Sequence, residues 1–102
     1  VKVVKIKRVY EEPAAPDGER YLVDRRWPRG LNKEAARLTD WLKDLAPSDD
    51  LRKWFGHDPN RWAEFRRHYA AELEASGNLD LLKQLAQKAQ KAAITLVYAA
   101  KD

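Results

Sequence analysis

Apolar and polar positions alternate imperfectly through the first ten residues, VKVVKIKRVY, and the Val and Ile content predicts a strand over about residues 2–9. Its lysines (Lys2, Lys5 and Lys7) point to a sheet edge, where charge discourages pairing with other chains. Two prolines and Asp17-Gly18 make residues 11–19 a loop and turn. RYLVD (20–24) is a short apolar strand, too short to be a helix. Pro28 and Gly30 then break any period, and Asn32 caps a short helix over KEAAR. LTDWLKDLAP (38–47) fits either an amphipathic turn or an extended segment, and Pro47 ends it.

The remaining pattern is mostly helical. Ser48, followed by Asp49 and Asp50, starts a helix that runs to about Phe55 and stops at Gly56. Asp58 then caps a longer helix with Pro59 at its first position, where the missing N–H costs nothing. Trp62, Phe65, Tyr69 and Leu73 recur at helical spacing and form one apolar stripe, which Gly77 ends. Asn78 caps another helix, with Leu79, Leu82, Leu85 and Ala86 directed inward. AAITLVYAA (92–100) is a continuous apolar run, suited to the buried centre of a sheet. Strands separated by helices predict a small α/β domain with a three-layer-like arrangement: a short, mostly parallel sheet and flanking helices.

Composition narrows the class. The 102 residues suit a single domain over 1–102. With no cysteine there are no disulfides, no thiolate metal sites and no thiol nucleophile, and the chain fits a reducing cytoplasmic setting. The start lacks the long apolar core of a signal peptide, and no stretch approaches the ~18 apolar residues needed to span a bilayer. A net charge of +4 favours acidic partners in general without choosing among them.

The segments KRVYEEP, YLVDRRWPRGLNKE, WLKDLAPS, LRKWFGHDPNRWAEFRRHY and ITLVYAAKD together resemble the YeaO-like branch of the bacterial domain of unknown function 488 family. The resemblance covers nearly the whole chain and implies a small cytoplasmic α/β protein without an established activity. It also implies a commonly apolar residue where this chain has Arg26, and a polar loop and final helix beyond Asp102.

Candidate chemistry concentrates in DRRWPRG. Open parallel sheets bind ligands beyond the carboxyl ends of their strands. If the strands ending at Val23 and Ala100 are parallel neighbours, Asp24, Arg25, Arg29, Lys101 and Asp102 gather at one edge. Arginine's planar fork suits phosphate or carboxylate, Gly30 would admit a ligand close to the backbone, and Trp27 could stack on a base. The expectation is a cleft for a small anionic ligand, phosphorylated or nucleotide-like, held by Arg25, Trp27, Arg29, Gly30, Lys101 and Asp102. Asp24 and His57 are the candidate catalytic residues, His57 being the side chain suited to carry a proton. The competing structural reading makes Asp24 and the arginines an ion pair that pins the loop, with Trp27 and Pro28 plugging the core; Arg26 reads as solvated on either view. His68 reads as surface.

Two histidines without a carboxylate set predict no metal site, and no glycine-rich phosphate loop implies a nucleotide cofactor. A nucleic-acid interface drawing on Arg52, Lys53, Arg61, Arg66 and Arg67 is an alternative, although acids interleave with these arginines. A purely structural or interaction role is another. The edge strand permits a monomer or a homodimer.

Overall fold

The computed structural model describes residues 4–89 and 93–99. Four strands, β1 (Val4–Arg8), β2 (Glu19–Leu22), β3 (Asp40–Trp41) and β4 (Ile94–Tyr98), form one sheet in the order β1-β4-β2-β3, with every pair parallel. The helices are α1 (Lys33–Ala36), α2 (Asp49–Phe55), α3 (Trp62–Ser76) and α4 (Asn78–Lys88). The α/β expectation holds, and so does the edge position of β1.

β4 lies between β1 and β2, and all five of its residues are buried. A strand covered on both faces has no polar side, which is why its sequence reads as an unbroken apolar run. Ile94, Leu96 and Tyr98 pack with Phe55 of α2, with Phe65, Tyr69 and Leu73 of α3, and with Leu79, Leu82 and Ala86 of α4. Val97 turns the other way, to Val9, Leu22 and Ala36.

Among the described residues that second face is covered by the four-residue α1 and the loop after β1, and a buried polar group holds the cover down. Asp17 accepts from Arg20 Nη1 at 2.6 Å, from Lys7 Nζ at 3.1 Å and from its own loop at Ala14 N–H. Arg20 Nε donates to Ala36 O, and Thr95 Oγ1 donates to Asp17 O. Asp17 and Arg20 are both about 2% exposed, so RYLVD contributes one partner of a buried ion pair rather than a purely apolar strand. Gly18 makes the adjoining turn possible. Its φ is +65°, and a Cβ there would lie 2.1 Å from Ala93 O.

Some local expectations need correction. The segment 38–47 is neither one turn nor one strand but the two-residue β3 followed by a short 3-10 turn at Lys43–Leu45. Asn78 is the first residue of α4 rather than its cap, because Gly77 ends α3 and begins α4 without an intervening residue. Leu85 is 39% exposed, while Leu79, Leu82 and Ala86 are buried, so the inward stripe of α4 is narrower than its leucines suggest. The α3 stripe packs as its spacing predicts, after a 3-10 turn at Pro59–Arg61.

Candidate functional site

β2 and β4 run side by side, and their pairing extends one residue beyond β2, where Val23 N–H donates to Val97 O. Asp24 follows, and its Oδ2 accepts the Ala99 N–H at 2.8 Å. The two strand ends therefore meet at one rim, as the strand-end argument requires. Burial raises the Asp24 carboxyl from its ordinary value of 3.8 to about 6, opposed by the Ala99 N–H and the nearby Arg52 charge.

A cleft of about 480 Å³ opens at this rim, lined by Asp24, Arg25, Arg26, Arg52, His57, Tyr98 and Ala99. Each wall has a local cause. Ser48 caps α2 by accepting the Leu51 N–H, and its own N–H and hydroxyl donate to Glu72 of α3. This anchors α2 so that Arg52 faces the strand ends. Gly56 and His57 both adopt left-handed backbone, which turns the chain sharply after α2 and places His57 at the rim. Asp58 then restarts the chain by accepting the Asn60 N–H. Tyr98, the last residue of β4, sits at the cleft with its hydroxyl raised to about 12 by burial first and by Asp24 second.

Asp49 joins the two sides, its Oδ1 lying 3.2 Å from both Arg25 Nη1 and Arg52 Nη1. Arg25, Arg26 and Arg52 outnumber Asp49 and Asp24, so the rim keeps a net positive charge at neutral pH. The Arg25 and Arg52 side chains remain 53% and 43% exposed at the cleft, and Arg52 also hydrogen-bonds the Tyr98 side chain.

Of the residues anticipated from sequence, Asp24, Arg25 and His57 come together here. Trp27, Arg29 and Gly30 do not line the cleft. Trp27 Nε1 donates to Leu31 O, and its ring meets Trp41 edge-on at 5.4 Å, while Trp41 Nε1 donates to Asp24 O at 2.6 Å. These two indoles brace the loop from the α1 side. Arg29 and Gly30 are exposed beyond them. Lys101 and Asp102 lie outside the described residues. Arg26 is exposed, as expected, and borders the cleft, and Arg52 and Tyr98 are additions. Tyr98 was within reach of the strand-end argument applied to the strand's last side chain as well as to its tail. Arg52 was not, because its position depends on how α2 returns across the sheet.

No group of three or more His, Asp or Glu residues suited to a metal ion occurs among the described residues. No helix among them is long and apolar enough to cross a membrane.

An all-parallel sheet with a charged cleft beyond its carboxyl ends defines the chain as an α/β protein of the open-sheet kind. Within that class it belongs to the domain of unknown function 488 family: the family model described as the inactive DUF488-N3 subclade matches residues 3–102. The chain is 43% identical to the uncharacterized protein YeaO of Escherichia coli, across 97% of this chain and 84% of that protein. It is 46% identical to the uncharacterized protein Rv3073c of Mycobacterium tuberculosis, across 80% of this chain and 70% of the relative. No solved structure matches it.

Proposed function

We propose that the protein binds a small anionic ligand, phosphorylated or nucleotide-like, in the cleft at the carboxyl rim of the sheet. The observation that carries this reading is the pair Arg25 and Arg52, bridged by Asp49 and half exposed at a cleft of about 480 Å³. That volume suits a small molecule. Arg26 adds charge from the same wall. Asp24 has one oxygen committed to Ala99 N–H, and its other oxygen is suited to accept a ligand hydroxyl or amine. The description of the subclade as inactive favours binding without turnover, with Asp24 and His57 orienting the ligand rather than transferring protons.

A nucleic-acid track has less support. Arg61 is engaged with the Trp54 carbonyl and Asp58, and Arg66 and Arg67 border a different groove together with β1. The helix cations thus do not form one continuous path with the cleft.

Thermal-shift and calorimetric titrations with phosphate, pyrophosphate, AMP and ADP test the reading, with adenosine as the neutral control. At least one anion should stabilise the wild-type protein, and the Arg25→Ala/Arg52→Ala variant should lose that response while keeping its own fold. Equal responses in the two proteins, or no response to any of these anions, would overturn it.

A further inference from the structure

We propose that the open edge of β1 is a docking site for an acidic peptide in extended conformation, which would add to the sheet as a fifth strand. Among the described residues β1 ends the strand order and pairs only with β4. Val9 N–H donates to Tyr98 O, so the alternation of a strand turns the amide and carbonyl groups of Ile6 and Val4 to the opposite, open side. An unpaired edge of this kind is a template for another extended chain.

The surroundings select the partner. A groove of about 370 Å³ runs between β1 and α3, bounded by Val4–Lys7 on one side and by Arg66, Arg67 and Ala70 on the other. Arg66 and Arg67 are exposed and form no ion pair among the described residues. Lys5 Nζ donates to a backbone carbonyl, that of Pro16, and keeps its charge. Lys7 shares Asp17 with Arg20, so that trio also retains one positive charge. The edge is therefore apolar at its floor and cationic along both margins. A second copy of this chain would bring the same cations face to face, and like charges directly opposite one another destabilise strand pairing. Carboxylates at alternate positions of a peptide would instead meet Arg66 and Arg67, while its backbone completes the hydrogen bonds of Ile6. None of these residues belongs to the anion cleft, so this inference stands or falls independently of it.

The test is fluorescence polarisation with a labelled hexapeptide alternating Glu and Val, its Lys–Val counterpart, and the Glu–Val peptide N-methylated at alternate amides. The Glu–Val peptide should bind at least tenfold more tightly than either comparison, and hydrogen exchange at the Ile6 amide should slow on binding. Arg66→Glu/Arg67→Glu, at exposed positions that leave the fold intact, should reverse the charge preference. Arg25→Ala/Arg52→Ala should bind the peptide like wild type. Equal binding of the Glu and Lys peptides, retention by the charge-reversed variant, loss in the cleft variant, or sedimentation showing a dimer that protects Ile6 without peptide would each overturn the proposal.

Discussion

Asp24 Oδ2 accepts the backbone N–H of Ala99 at 2.8 Å, joining the first residues beyond two adjacent parallel strands. The bond satisfies an amide at the sheet rim that a ladder partner no longer reaches. It also keeps a carboxylate in a half-buried place beside Tyr98 and Arg52, where its charge is poorly solvated. A carboxylate kept at a cleft where its charge is poorly solvated is consistent with service to a ligand.

This makes Asp24 a source of pH-dependent instability. Its folded pKa, about 6, lies above the ordinary 3.8, so the folded state holds the proton more tightly than the unfolded one. Stability from this group is greatest below pH 4 and falls as pH rises through 6. Asp24→Asn keeps an acceptor for Ala99 N–H and removes the charge. It should be more stable than wild type at pH 7.5, by on the order of 2–3 kcal/mol at about 1.36 kcal/mol per tenfold change in proton affinity. Urea melts at pH 4.5 and 7.5 check this, since the difference between the two proteins should shrink at the lower pH.

Anion affinity should follow the same group. As pH falls from 7 towards 5, neutralising Asp24 relieves its repulsion of a bound anion, and affinity should rise roughly tenfold, about 1.4 kcal/mol. Asp24→Asn should already show the tighter binding at pH 7 and lose most of the dependence. Isothermal titration with sulfate, whose own charge is constant across this range, compares wild type with Asp24→Asn and checks this.

Asp17 has the opposite sign. Burial alone would raise its carboxyl, but the Ala14 N–H together with Lys7 and Arg20 holds it below 3.8. Its contribution is complete above that value and is lost as pH falls through the depressed one. Asp17→Ala strands Arg20 in a buried place and should cost about 3–5 kcal/mol in chemical denaturation at pH 7. Asp17→Leu combined with Arg20→Met should recover much of that loss, because both buried charges are then gone.

Gly18→Ala should destabilise by about 1–3 kcal/mol from backbone strain alone, with the approach to Ala93 O adding to it. Thermal melting measures the loss. A shift smaller than about 1 °C would show that the turn can relax away from β4.

The strands and helices were legible wherever their signals were local. Ser48, Asp58 and Asn32 each have cap geometry that follows from their own chemistry, and the apolar run ITLVY could only be buried on both sides. The site was half legible. DRRWPRG identified the rim and supplied Asp24 and Arg25, since both adjoin the end of β2. Trp27 read either as a stacking aromatic or as a core plug, because nothing near it in sequence announces Trp41, the ring it meets edge-on. Arg20 read only as part of the short strand RYLVD, because its acceptors, Asp17 and the Ala36 carbonyl, become its neighbours only when the loop and α1 fold over the second face.

The order of elements, their capping residues and the apolar faces were determined by the sequence alone, because each depends on side chains a few positions apart. Which cations share the cleft with Asp24 was decided by tertiary structure. Arg52 reaches the rim through the packing of α2 on α3, and Asp49 joins it to Arg25 across 24 residues of chain. Electrostatic environments are set by distance in space, and the strand order β1-β4-β2-β3 brings together residues that the chain holds far apart.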